Sequence, residues 1–359
     1  MQRIARRLAA PAVVLLLACV LLGPAAASAA GSPAGGAWVD SLVSFSAGGL
    51  TIYATYRHPE HPSGPFPAAL LIAGSGPTDR NGNSPEEAGP VNTIKTLADW
   101  LSEDGVASLR YDKLGSGKTG LGRFVFDPDA IGIKPFEVEA TAALTYLARQ
   151  KDVERARLAV VGHSEGALFA LLVATGVAGP APPVHALALL EPLSVRYLDL
   201  ISDQITGQVQ AAEADGQLTA AAGTSLDQEL AAVVSSLRAD GKLPANVPSD
   251  LSSVFSPATS LFLSQADRYD PGQLAARLPT GMPVLVSCSN DDIQVSCAEV
   301  DHLVSGLTAA HAGVDFVQLA GVDHVLKEDT SLGSANYTKP LPFSTQLQAA
   351  IATFVEQNL

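Results

Sequence analysis

The chain has 359 residues, enough for one large core or a core carrying an insertion. Its 22 Lys and Arg stand against 36 Asp and Glu, a net charge of −14, so its surface repels nucleic-acid phosphates and anionic lipid headgroups. That balance argues against a nucleic-acid partner and speaks for solubility, not for a mechanism.

Residues 1–30 are a different material. Arg3, Arg6 and Arg7 form a basic start, residues 8–23 are apolar apart from Pro11, and Ala27-Ser28-Ala29-Ala30 offers small residues to a signal peptidase. The apolar run is shorter than the ~20 residues a membrane-spanning helix needs. A cleaved signal peptide over 1–30 is therefore expected, giving a secreted, periplasmic or cell-envelope chain without a stable membrane anchor. A lipid-modified Cys19 ranks lower, because apolar residues continue past it. Cleavage would leave nineteen Lys and Arg against thirty-six Asp and Glu. It would also leave Cys288 and Cys297 as an even pair in a disulfide-permissive compartment, where a bond between them is expected. No Cys/His spacing suggests a metal site, and no cofactor is expected.

After a Gly/Ala/Pro linker, residues 38–45 and 50–56 alternate as paired strands around a Gly48-Gly49 turn. His58 and His61 follow among four prolines. Pro59 and Pro62 forbid the helix that would align the two imidazoles on a metal, so both read as surface histidines. Residues 68–73 form a continuous apolar run, a buried strand, followed directly by a glycine-rich turn over 74–82. Such a turn lets backbone N–H groups face a developing oxyanion. Asp79 and Arg80 are expected to brace it.

Residues 93–104 read as an amphipathic helix ended by Gly105, and 106–110 as the next strand. The long Gly-rich connection 111–135 contains Gly115-Ser116-Gly117-Lys118-Thr119. It echoes a phosphate loop, but Asp112 stands where that motif requires its first glycine, so ATP binding is not expected. A helix over 136–150 then leads to the most informative stretch.

Leu158-Ala159-Val160-Val161 reads as a short buried strand and residues 167–173 as a packed helix. Between them lies Gly162-His163-Ser164-Glu165-Gly166, a G-x-S-x-G pentapeptide in the strand–turn–helix setting of a nucleophile elbow. A strand over 184–190 follows. From about 192 to 281 the alternation of strand and helix stops. Leu198, Ile201, Ile205, Val209 and Ala212 recur at helical spacing, as do Leu226, Leu230 and Leu237, opened by a Ser225…Gln228 capping box and closed by Gly241. Helices without strands suggest an inserted cap. Phe255, Leu261, Phe262 and Tyr269 are candidates to line an apolar pocket beneath it. The chain resumes with a strand to Cys288, a helix near 298–310, a strand over 314–319 and a closing helix over 344–357.

A serine nucleophile needs a base and a group to orient it. The apolar run 283–286 leads to Asp291 and Asp292, and the 314–319 strand leads to His324, so acid and histidine follow the serine in the order of an α/β-hydrolase. Glu191, after the preceding strand, is an outside candidate for the acid. His163 is expected to pack in the elbow, and His302 and His311 to face solvent.

Four motifs, read together, resemble a bacterial serine esterase of the α/β-hydrolase superfamily, close to its carboxylesterase and serine-aminopeptidase-like branch. They are residues 74–82, Arg110-Tyr111-Asp112-Lys113, the serine pentapeptide, and Asp292-Ile293-Gln294-Val295 with Gly321-Val322-Asp323-His324. Leu114 departs from the pattern, where relatives usually carry Arg. The resemblance implies a mostly parallel eight-stranded sheet flanked by helices, with core parts over 31–191 and 282–359 and a helical cap over 192–281. It also implies a Ser164–Asp292–His324 triad, the family's acid falling on Asp292 rather than Asp291. The backbone N–H groups of Ser75 (Gly74 as runner-up) and Glu165 would form the oxyanion hole, and the Cys288–Cys297 bond would close a loop around the acid.

The expected reaction is two-step hydrolysis of a small-molecule acyl ester, with activity falling below neutral pH as an imidazole base protonates near its ordinary pKa of about 6.5. An exported peptidase or acyltransferase with the same triad is the alternative. A non-catalytic binding protein on the same fold is a third reading.

Overall fold

The computed structural model describes residues 37–359. The expected signal peptide and Cys19 therefore lie outside the described residues. Among the described residues no helix is long and apolar enough to cross a membrane.

Eight strands form one sheet: β1 Trp38–Ala47, β2 Leu50–Pro59, β3 Phe66–Ile72, β4 Ala107–Tyr111, β5 Val153–His163, β6 Ala186–Leu190, β7 Pro283–Ser289 and β8 Gly313–Leu319. Their order across the sheet is β1-β2-β4-β3-β5-β6-β7-β8. The first two junctions are antiparallel, the remaining five parallel. The inner strands are continuous apolar runs because both faces of a parallel sheet are covered. Side chains then alternate between two cores.

On one face Leu70, Ile72, Val160, Leu187 and Val286 pack against α2 Lys134–Ala148, α3 Glu165–Ala174 and α8 Cys297–Ala309. On the other, Ala69, Leu71, Val161 and Leu285 meet α1 Thr93–Glu103 and α9 Thr345–Asn358. In α1, Ile94, Leu97, Ala98 and Leu101 recur at helical spacing and are buried. Helix α3 is buried nearly all round, which its Ala-Leu-Phe-Ala-Leu-Leu-Val run permits.

The register decides where chemistry can gather. Ile72 pairs with Gly162, His163 with Leu190, Leu190 with Ser287, and Ser289 with Leu319. The C-terminal ends of β3, β5, β6, β7 and β8 thus line one edge of the sheet. After β3 the chain crosses to β4 on one side and then to β5 on the other, so the β3–β5 junction is the switch point where open α/β sheets bind ligands.

Between β6 and β7 lie α4 Tyr197–Ala214, α5 Ala220–Asp240, α6 Pro257–Ala266 and α7 Pro271–Ala275. Helix α5 starts earlier than the Ser225…Gln228 pattern predicts. Thr219 caps it, its side chain accepting from the Ala222 N–H, and the alanines at 220–222 carry the helix through to Ser225. Gly241 ends it in the left-handed conformation at φ 75°. Helix α7 packs on α8.

Asp267, at the end of α6, fastens the start of α4 and the end of α5 to it. Its carboxylate accepts from Arg196 Nη2 at 2.6 Å, the Leu198 N–H at 2.9 Å and Arg238 Nε at 2.9 Å. The carboxylate is buried, whereas both guanidinium groups are partly exposed.

Removing the carboxylate leaves the Leu198 amide without its acceptor, while Arg238 keeps Asp199 and Arg196 keeps the Asp267 carbonyl. Asp267→Ala is expected to cost about 2 kcal/mol, less than a fully buried pair because water reaches both arginines; equilibrium urea denaturation measures it. Cys288 and Cys297 are joined by a disulfide nine residues apart. The double Cys288→Ser, Cys297→Ser variant is expected to lose about 2.5–3 kcal/mol, the loop-closure entropy of so short a crosslink, read from the same denaturation curves.

Candidate active site

Ser164 sits between the end of β5 and the start of α3 at φ 55°, ψ −123°, a backbone conformation that side-chain-bearing residues seldom adopt. The neighbouring glycines show why the turn is possible. A Cβ on Gly162 would run into the Gly166 carbonyl and the Ala167 amide, and one on Gly166 would run into the Ile72 carbonyl of β3. With both bare, strand and helix close on each other and Ser164 is pushed out at the apex. Its backbone is held from β6: the Ser164 N–H donates to Leu190 C=O at 3.0 Å, and the Leu193 N–H donates to Ser164 C=O at 3.1 Å.

His324 lies in the loop after β8. Asp323 shapes that loop, its Oδ1 accepting from the Val325 and Lys327 amides at 3.1 and 2.8 Å. Burial pushes the Asp323 carboxyl up to about 6 despite those amides. Lys327 Nζ anchors the far side on the Tyr337 and Lys339 carbonyls. The imidazole meets Asp292 with Nδ1 to Oδ2 at 2.7 Å. Asp292 Oδ1 is filled by the Gln294 and Val295 amides at 2.6 and 3.1 Å. Burial would raise the Asp292 pKa, but the His324 ring and the two amides outweigh it and hold the carboxylate below its usual range. An ionised carboxylate can only accept, so Nδ1 carries the imidazole proton and Nε2 is left with its lone pair.

The rival residues go elsewhere. Asp291 Oδ2 accepts from the Gly321 N–H at 2.8 Å, on the other side of the loop. Glu191 is buried behind Asp292, its Oε2 accepting from the Ser289 N–H at 3.0 Å. His163 bonds through Nε2 to the His324 carbonyl at 2.7 Å, and burial, with the neighbouring His324, lowers its pKa to about 3. It is a neutral donor that props the loop. His302 pairs with Asp270 at the surface, and His311 is exposed. His58 is only partly exposed: it lies within β2, stacked on Tyr56 and bonded to Ser41 Oγ at 2.9 Å, because β2 runs three residues beyond the expected end.

The turn after β3 runs against the elbow, so a Cβ on Gly74 would lie 3.1 Å from that of Ser164. Neither the Ser75 nor the Glu165 N–H donates to a partner among the described residues. Asp79 Oδ1 takes the Asn81 and Asn83 amides, and Arg80 forms a two-pronged pair with Asp112 at 2.9 and 2.6 Å. The phosphate-loop echo wraps that same Asp112: Gly117 lies against its carboxylate and the Lys118 N–H donates to it at 2.7 Å. The chain's own carboxylate fills the cradle.

Ser75, Ser164, Glu165, Gln294 and His324 open onto one cavity of about 490 Å³. Its opposite wall is apolar, with Leu200, Ile201 and Ile205 from α4 and Phe262 and Leu263 from α6. Of the four pocket candidates only Phe262 lines it. Phe255 is buried in the core, and the Tyr269 hydroxyl donates to Glu137 at 2.8 Å. Leu261 is not among the lining residues, since Ala258, Phe262 and Leu263 carry the inward face of α6.

Beneath the cavity lies a polar group the sequence reading did not anticipate. Glu165 accepts from Lys113 Nζ at 3.1 Å on one oxygen and from the Tyr197 hydroxyl at 2.5 Å on the other, and Lys113 Nζ also donates to Gly74 C=O. Burial, together with the Glu165 charge, raises the Tyr197 pKa well above its ordinary value. The only hint in the sequence is an acid at the start of an otherwise apolar helix.

No protein-family model matches the chain. Esterase EstD of Thermotoga maritima is 35% identical over 142 residues, a match covering 38% of this chain and 32% of that protein. The match thus spans about a third of the length of that curated relative. Among solved structures, Est1E from Butyrivibrio proteoclasticus, determined with ferulic acid bound, superposes with a TM-score of 0.53 at 18% identity, covering 88% of this chain and 98% of that one. A Pyrococcus furiosus esterase gives a TM-score of 0.54 at 14% identity, covering 89% and 91%. At these identities the likeness is one of fold, and the fold of the chain is that of the α/β-hydrolases.

Proposed function

We propose that the protein is an exported serine hydrolase of carboxylic esters, working through an acyl-enzyme on Ser164. The observation that carries the reading is the shared cavity: an elbow serine, an imidazole with its acceptor nitrogen unspent, and two undirected backbone amides face one apolar wall. In the first step His324 Nε2 takes the Ser164 hydroxyl proton as Oγ attacks the ester carbonyl. Asp292 fixes the ring and stabilises the imidazolium. The Ser75 and Glu165 N–H groups receive the oxyanion, a donor of this kind being worth about 3 kcal/mol. The alcohol departs with the imidazolium proton. Water, deprotonated by the same nitrogen, then releases the acid. No cofactor enters these steps.

The helical segment over 192–281 serves, in this reading, as the cap that supplies the acyl wall. The names of the similar proteins, EstD and Est1E with ferulic acid, point to the same substrate class. Esters are favoured over peptides by the state of the acids. Glu165, deep in the cavity, already has its charge met by Lys113 and its second oxygen by Tyr197, while Glu86, which also lines the cavity, is exposed to water that screens its charge. The cavity volume suits a short or medium acyl group.

On the purified chain, a serine-directed fluorophosphonate is expected to label wild type and not Ser164→Ala. In a panel of p-nitrophenyl esters and aminoacyl amides, esters are expected to turn over and amides not. His324→Ala is expected to lose about three or more orders of magnitude in kcat; a near-normal rate removes it from the triad.

A second expectation concerns pH and stability. His163 titrates at about 3 in the fold against about 6.5 in an unfolded chain, so between those values the unfolded state binds the extra proton. Its stabilisation is complete above pH 6.5 and is lost as pH falls toward 3. His163→Gln keeps a donor for the His324 carbonyl and cannot titrate. Between pH 7 and pH 5 wild type is expected to lose about 2 kcal/mol more than this variant, read from urea denaturation at the two pH values.

A further inference from the structure

Glu191 is a wholly buried acid that the acyl-transfer steps leave unused. It follows β6 at φ 43°, in the left-handed region and without glycine's tolerance for it. The residues on either side of this kink hold the nucleophile: Leu190 C=O accepts from Ser164 N–H, and the Leu193 N–H donates to Ser164 C=O. The side chain reaches onto β7. Ser287 Oγ accepts from the Glu191 N–H at 3.2 Å and donates to Oε1 at 3.2 Å, while the Ser289 N–H donates to Oε2 at 3.0 Å. Its carboxyl group lies against that of Asp292, within reach of a hydrogen bond once one of the two is protonated.

Two carboxyl groups in contact away from water require a proton between them. The donors decide which one keeps it. Asp292 receives the His324 ring N–H and two backbone amides; Glu191 receives one amide and one hydroxyl. Burial, and then the Asp292 charge, accordingly lift Glu191 well above the carboxylate range. The other titratable groups nearby do not change this balance. His324 sits across Asp292, His163 on β5 is neutral, Asp291 faces Gly321, Glu299 and Tyr337 are both pushed toward their neutral forms by burial and by the Asp292 charge, and among the described residues no Lys or Arg pairs with either acid.

We infer that Glu191 is a positioning residue for acyl transfer: protonated and locked between β6 and β7, it donates a hydrogen bond to Asp292 and presents that carboxylate to His324 as a single, oriented negative charge. Its backbone kink clamps Ser164 at the same time, so one residue sets the nucleophile and the acid relative to each other. The inference rests on the triad proposed above.

Steady-state kinetics on p-nitrophenyl butyrate across pH test it, with wild type, Ser164→Ala, Glu191→Gln and Glu191→Ala. Glutamine keeps the shape and an N–H donor and removes no charge. Its kcat is expected within about threefold of wild type, and the acid limb of kcat/KM within about 0.3 pH unit. Glu191→Ala is expected to lower kcat by about tenfold or more at unchanged KM. If the limb in Glu191→Gln moves down by about one unit, a negative charge has been removed and the inference is overturned. It is equally overturned if alanine matches wild type or if glutamine is as impaired as alanine. Should Glu191→Ala fail to fold by circular dichroism, the glutamine rates and pH profile decide alone. Turnover surviving in Ser164→Ala sinks the triad and this inference with it. Turnover lost there, with both Glu191 variants at wild-type rates, sinks the inference only.

Discussion

The close approach of β5 and α3 at the Ser164 turn is the constraint on which the rest of the site depends. Gly166 lies against the Ile72 carbonyl, and Gly162 against the first turn of α3, so the chain reverses with no room for a Cβ on either side of Ser164. The strain at Ser164 is offset by interactions outside the turn: the apolar packing of α3 on the sheet and the two hydrogen bonds from the β6 segment. Since β3 supplies the carbonyl that Gly166 touches, the turn that follows β3 is carried alongside the serine. The elbow and the Ser75 amide are therefore positioned by one packing event at the sheet's switch point.

Much of this was legible in the sequence because periodicity and sharp turns leave marks that local chemistry can read. The apolar runs around the pentapeptide mark β5 and α3, and Gly48-Gly49 marks the β1–β2 hairpin. The contact of Asp292, rather than Asp291, with the imidazole was not decidable from order along the chain. Adjacent side chains face apart, and only the fold says that Gly321 stands on one side and His324 on the other. The Lys113–Glu165–Tyr197 group was illegible for a different reason: its members are 52 and 32 residues apart, and buried polar pairing carries no periodic signature. The aromatic residues flanking α6 misled in the opposite way. Size and hydrophobicity do not reveal which face of a short helix meets a cavity, and Phe255 and Tyr269 went to the core and to Glu137.

The acids of the site divide its electrostatics. In a chain of net charge −14, the buried acids around Ser164 and His324 are each settled differently. Asp292 is ionised by its donors, Glu165 is met by Lys113 and Tyr197, Glu191 keeps its proton, and Asp323 is pushed up by burial. Asp292 is then the one carboxylate bonded directly to the imidazole. A second such contact would raise the ring's affinity for protons and withhold the lone pair that the proposed proton transfer from Ser164 requires.

The apolar wall is tied to this arrangement by a short route. Gln204 on α4 donates from Nε2 to the Gln294 carbonyl at 2.8 Å, and the N–H of that same peptide group, on Val295, donates to Asp292 Oδ1 at 3.1 Å. The helix that shapes the cavity thus holds the loop that holds the acid. Asp267 fixes the start of that same helix through Arg196 and the Leu198 amide. A displacement of α4 therefore cannot change the shape of the cavity alone. It also pulls on a peptide group that donates to Asp292, so the cavity wall and the carboxylate that orients the His324 ring share one mechanical element.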